Sequence, residues 1–158
     1  MVDSKKLISY LIEWTFNYLK NKDILLKNIV SIERNKGGLH VTFKNREEFF
    51  IIKPIITNVE EIIQEIREKQ SLTLITLNSK ENFKFLVDNW KRFIDYQQFT
   101  VIFINPFSSL DKKWSINPYT HYKICDDASL KNGLKSMFNT VEPITEEDLQ
   151  NLIRNTRK

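Results

Sequence analysis

The chain has 158 residues, 41% of them hydrophobic, with 24 Lys and Arg against 20 Asp and Glu, a formal net charge of +4 and a pI near 9.1. That length buries one substantial core and is too short for two comfortable domains, and a lone cysteine, Cys125, excludes an intrachain disulfide and a cysteine-rich zinc site. No signal-peptide cleavage pattern and no apolar run near the roughly 20 residues of a membrane span is present, so a cytoplasmic protein without a membrane partner is expected, with a mild preference for polyanions.

Leu7, Ile8, Leu11, Trp14 and Tyr18 recur at steps of three and four and predict an amphipathic helix over Lys5 to Leu19, ended by the polar stretch Lys20 to Asp23. Lys27 to Arg34 alternates as a strand does, Asn35 to Gly38 turns the chain, and Leu39, Val41 and Phe43 then share one face of a second strand. Asn45-Arg46 turns it again into a third strand, Glu48 to Lys53, closed by Pro54, so the three strands form an antiparallel meander. Thr57 to Glu60 fits a capping box before a helix with Val59, Ile62, Ile63 and Ile66 as its buried stripe, ending near Lys69.

Ser71 to Asn78 reads as a strand apolar on both faces, followed by a helix carrying Phe83, Leu86, Val87, Trp90, Phe93 and Ile94, and then by the buried strand Phe99 to Asn105. Strand, helix and strand in succession favour parallel pairing through a right-handed crossover, which makes the sheet mixed. A loop from Pro106 to Thr120, a short strand around Tyr122 to Cys125, a helix from about Asp127 to Phe138 and a last helix capped by Thr145 complete the chain. The expected architecture is one α/β domain over 1–158, a mixed sheet with helices on both faces, its core at about 5–105 and a C-terminal loop and helical extension at 106–158.

The helix, three-strand meander, helix, strand, helix, strand order resembles the core of the restriction-endonuclease-like, or PD-(D/E)XK, superfamily. "GGLHV" at Gly37 to Val41 and "IIK" at Ile51 to Lys53 stand where that family has a Gly-rich turn, an Asp-bearing strand, and an acid, a spacer and a Lys. The resemblance makes Lys53 the family's lysine and puts His40 and Ile51 in place of its acids. Those acids hold a hard divalent cation that helps generate hydroxide and stabilises the phosphate transition state. Isoleucine does neither, and a lone imidazole suits Zn²⁺ or Mn²⁺ better than Mg²⁺. Glu33, Glu47 and Glu48 are the acids that could compensate. Glu47 shares a strand face with Ile51 and Lys53, but its Cα lies roughly 13 Å from that of Ile51 at about 3.3 Å per residue.

Two further segments carry chemistry-bearing residues. His121, Cys125, Asp126 and Asp127 lie close together in "HYKICDD", where Cys125 reads more simply as a small core residue at a strand end and Asp126 or Asp127 as an N-cap. Asp111 to Lys123 sets Lys112, Lys113 and Lys123 beside Trp114, Tyr119, His121 and Tyr122, so that cations could hold phosphates and rings could stack on unpaired bases, or the rings could instead fold the loop onto the core. Lys44 and Arg46 add charge at the hairpin tip, and Arg154, Arg157 and Lys158 at the tail. Trp14, Phe16, Tyr18, Phe83, Phe85 and Trp90 supply surplus aromatic surface for a core or a partner interface.

The leading expectation is a catalytically degenerate nuclease-like domain that binds DNA, RNA or a protein partner through Lys44, Arg46, Lys53, Lys112, Lys113 and Lys123, with Trp114 or Tyr119 stacking. Lys53 and His40 would be relic positions, and no metal or other cofactor is expected. The alternatives are an active nuclease with migrated acids, which would use Mg²⁺ or Mn²⁺, and a structural or homodimeric interaction protein without a nucleic-acid role. Phosphate-binding glycine loops, serine elbows and helical zinc motifs do not occur.

Overall fold

With neither Gly nor Pro between Ser4 and Leu26, nothing in the first segment breaks a helix, and α1 runs through the polar stretch from Ser4 to Leu26. The expected stop at Lys20 to Asp23 is therefore corrected. The true stop is Lys27, at a left-handed φ of 51°, whose N–H donates to the Asp23 carbonyl, while the Asp23 carboxylate accepts from the backbones of Asn28 and Ile29 at 2.8 and 3.0 Å. The structure is a computed structural model and describes residues 4–156; Arg157 and Lys158 fall outside them.

The meander follows as β1 (Ile29–Asn35), β2 (Gly38–Phe43) and β3 (Glu47–Ile52), both pairs antiparallel. Gly38 is required by contact: a Cβ there would stand 1.8 Å from the Phe50 carbonyl oxygen, whereas at Gly37 it would meet nothing within 4 Å. A register shift between Ile29 and Ser31 leaves Val30 as the extra residue of a bulge on the edge strand. Asn58 caps α2 (Val59–Glu68) by accepting from the N–H groups of Glu60 and Glu61.

Strand β4 (Leu72–Leu77) then pairs parallel to β3, and β5 (Phe99–Ile104) parallel to β4. The helical segment between them, read as one helix, is two: α3 (Lys80–Asp88) and α4 (Trp90–Phe93), broken at Asn89, whose side-chain amide turns back to the Phe85 carbonyl at 2.9 Å. The sixth strand, β6 (Lys113–Ile116), lies antiparallel to β5, inside the stretch expected to be loop. Tyr122 to Cys125, expected as a strand, belongs to α5 (Pro118–Ile124) and its C-cap. Asn117 caps that helix and Pro118 opens it, a pairing that favours helix over strand. Cys125 is accordingly a half-buried cap residue rather than a core residue. Helix α6 (Asp127–Phe138) is capped by Asp126, and Thr145 caps α7 (Glu146–Thr156).

The sheet order is β1-β2-β3-β4-β5-β6, a mixed six-stranded sheet in a single α/β domain. Side-chain alternation divides its apolar residues between two layers. Leu39, Val41, Phe50, Ile52, Ile75 and Leu77 face Leu7, Leu11 and Leu19 of α1 and Leu149 and Ile153 of α7. Leu72, Leu74, Phe99, Val101, Phe103, Trp114 and Ile116 face helices α2, α3, α4 and α6. The segment expected as an extension thus supplies a strand, a helix to each face, and core residues to both layers.

Three buried asparagines close the carboxyl ends of the parallel strands. The Asn78 amide donates to the carbonyls of Phe138 and Val141 at 3.2 and 2.9 Å and accepts from the Trp114 indole at 2.7 Å. Asn82 donates to Pro54 and Leu77 and accepts from Ile56, and Asn105 donates to Glu142 and accepts from Phe107. In open α/β sheets this end is the usual place for a ligand crevice; here the chain's own backbone fills it.

Candidate functional site

On the hairpin, His40 lies opposite Glu33 in β1 and Phe49 in β3. Its ring stacks on Phe49 at 4.3 Å, with Nδ1 3.7 Å from a Glu33 carboxylate oxygen and Nε2 3.6 Å from one of Glu47. Ile51 lies opposite Gly38, beside Leu74, and packs on the α2 side of the core. Lys53 pairs its ammonium with Glu61 of α2 at 2.7 Å. Phe49, the partner of His40, and Lys53 are four steps apart on the strand, about 13 Å at 3.3 Å per residue, so the two positions expected as relics do not meet. Among the described residues no group of three or more His, Cys, Asp or Glu is placed to hold a metal ion.

Glu48 points to the opposite face, where Ser71 and Thr73 donate their hydroxyls to its buried carboxylate and Arg46 approaches to 3.5 Å. These bonds sew β3 to β4. Glu48 is therefore absent from the face of Ile51 and Lys53 that a compensating acid would need.

The Lys112 to Lys123 segment is divided by its fold. Trp114 is 5% exposed, stacked on Phe103 at 4.4 Å and hydrogen-bonded to Asn78, so its faces are spent inside the core and the expected base-stacking role does not fit its position. The Lys112 ammonium turns back to the Ser108 carbonyl at 2.9 Å, and Lys123 reaches the Tyr119 hydroxyl at 2.6 Å within α5. His121 packs edge-on against Trp90, its Nε2 buried, and burial pushes its pKa below the ordinary 6.5. Lys113, the neighbour of Trp114 in an alternating strand, faces the other way, toward α1.

That orientation puts Lys113 in a cleft of about 650 Å³ between the second half of α1, the tip of the β2–β3 hairpin, the amino ends of β4 and β5, and the antiparallel strand β6. The ammonium groups of Lys113 and Lys22 lie 5.5 and 5.9 Å from the centre of the Tyr18 ring, and the Arg46 guanidinium covers Phe43 at 4.1 Å. Glu48, Ser71, Thr73 and Thr100 supply polar wall, and Gln97, Gln98 and Asn117 line it as well. Of the expected binding residues only Arg46 and Lys113 line this cleft. Lys44 is exposed near the rim, its backbone N–H bonded to Asn28, and Lys53 lies on the other face of the sheet.

Tyr18, Lys22 and Glu48 were not legible as cleft residues. The spacing Tyr18, Lys22, Leu26 at steps of four, continuous with the helix before it, was the one signal available. The fold and cleft define an α/β domain with a cation-rimmed crevice at the amino end of its parallel strands. Searches of family models, of curated proteins and of solved structures returned no match.

Proposed function

We propose that this chain is a nucleic-acid-binding domain on a restriction-endonuclease-like scaffold whose hairpin no longer carries cleavage chemistry, and that a nucleic-acid strand lies in the cleft beneath α1. One observation carries the reading: two ammonium groups, from α1 and β6, converge on a single tyrosine ring, with a guanidinium on Phe43 in the same cleft. Neighbouring like charges repel, and an anion held between them relieves that repulsion. Rings beside phosphate-binding cations suit a strand whose bases are unpaired, since every base offers a face for stacking. The volume suits a nucleotide-sized group.

The test is an anisotropy titration of labelled single-stranded and duplex DNA and RNA, in Mg²⁺ or Mn²⁺ and in chelator, each sample then run on a denaturing gel. Three phosphate contacts give log K against log salt a slope of about −2 on single strands. Charge reversal at Arg46 and Lys113 together should weaken binding about tenfold or more without unfolding, because both side chains sit at the cleft rim. Binding that ignores both salt and the double reversal refutes the reading. Metal-dependent cleavage that Lys53→Ala removes would make the protein an active nuclease instead.

A further inference from the structure

We infer that the carboxyl-terminal tip of α1 is a peripheral docking point for an anionic lipid surface. Ile24, Leu25 and Leu26 end the helix 64%, 92% and 61% exposed, and Val30, pushed out by the edge-strand bulge, is 65% exposed. Scattered exposed aliphatics are ordinary, but four at one place are not. Consecutive helical residues are about 100° apart, so these three project in different directions. Ile24 and Val30 line a groove with Phe16 and Ile32, Leu26 lines the cleft with Tyr18 and Phe43, and Leu25 stands between them.

A flat protein partner covers one side of a helix. A medium apolar in every direction covers a tip. The charge around the tip selects the kind of medium: Lys20, Lys22, Lys27 and Lys44 are all cationic, and Asp23, the acid among them, has its carboxylate committed to two backbone N–H groups. Aliphatic residues that insert shallowly, ringed by lysines that stay with the headgroups, are the pattern of interfacial attachment to anionic membranes. No helix among the described residues is long and apolar enough to cross a membrane, so the attachment is to one surface. The expectation of no membrane partner was drawn from segment length alone and did not weigh a short exposed tip. This inference shares one cation, Lys22, with the cleft; what separates it from the nucleic-acid reading is the exposed aliphatic tip at Leu25, which lies outside the cleft lining.

The experiment is co-sedimentation of the full chain with vesicles of phosphatidylcholine alone and of an equimolar phosphatidylcholine and phosphatidylglycerol mixture, with light scattering of the protein in parallel. The wild type should partition onto the mixed vesicles about tenfold more than onto phosphatidylcholine. Leu25→Asp should lower that partition about tenfold, Lys20→Glu should lower it less, and Lys113→Glu should leave it unchanged. Leu25 is almost fully exposed, so its replacement leaves folding intact, and far-UV circular dichroism checks this. Protein that stays in the supernatant with both vesicles at low salt overturns the inference, as does equal partition of wild type and Leu25→Asp. A dimer that Leu25→Asp dissolves, without vesicle binding, overturns it in favour of a second copy of the chain as the cover.

Discussion

Replacing Asn78 by Ala should be among the most damaging single changes in this protein. Asn78 is 0% exposed, and its amide ties Trp114 of β6 to the turn after α6. Truncation leaves the Trp114 indole N–H and the Val141 carbonyl without their side-chain partner, while the Phe138 carbonyl keeps the Val141 N–H at 3.3 Å. Each buried orphan costs about 1–3 kcal/mol, and the small void adds to that, so the loss is about 3–5 kcal/mol against a total stability of about 5–15. At this chain length such a loss lowers Tm by about 10 °C or more. Urea denaturation followed by far-UV circular dichroism measures it. Trp114→Phe alone should cost less, and the double variant should recover about 1 kcal/mol relative to the sum, because both changes remove one shared bond. A loss below about 1 kcal/mol for Asn78→Ala at unchanged m-value would refute the claim that this amide holds the carboxyl-terminal segment to the sheet.

Gly38→Ala should destabilise by about 1–3 kcal/mol, because the new methyl collides with the Phe50 backbone, whereas Gly37→Ala should stay within about 0.5 kcal/mol in the same assay. Glu48→Gln removes the buried negative charge from the cleft wall, and the anisotropy titration should show a few-fold tighter binding of nucleic acid, together with a loss of about 1 kcal/mol as one hydroxyl loses its acceptor. His121 has a pKa lowered by burial, so the unfolded chain binds its proton more readily than the folded one. Its contribution to stability is complete above the ordinary value of 6.5 and is lost as pH falls from there through the folded pKa. Thermal melts of His121→Phe should lack that part of the acid-side decline, and an unchanged pH profile would remove His121 as its source.

The meander, α2, β4 and β5 were legible because the first two strands alternate, α2 recurs at three to four, and β4 and β5 are short apolar runs, each set off by a turn, a cap or a change of composition. The miss at Tyr122 to Cys125 came from reading four residues without the Asn117-Pro118 pair ahead of them, a helix opening whose effect outweighs the β-propensity of Tyr and Ile. The miss at α1 came from treating polarity as a break, although Lys, Asn and Asp on a solvent face interrupt nothing when Gly and Pro are absent. Lys113 and Trp114 were both singled out, yet the strand that sends one to the cleft and the other to the core was not foreseen, and with it went their separate roles. The cleft was illegible for a different reason. Its cations come from α1, a hairpin tip and the last strand, and their convergence is a property of sheet order and strand facing that no local pattern encodes.

The strand order has a consequence for how the molecule is made. Because β1 to β6 lie side by side in the order of synthesis, the sheet can grow by one strand at a time at its newer edge as the chain leaves the ribosome, without a strand having to insert between two already paired. By Ile116 every strand among the described residues has been made, but the amide of Asn78 still lacks the carbonyls of Phe138 and Val141, and the Asn78 carbonyl still lacks the N–H of Ile144. The polar seam at the carboxyl edge of the sheet can therefore close only after residues 138–144 have been made, later in synthesis than any of the strands it seals.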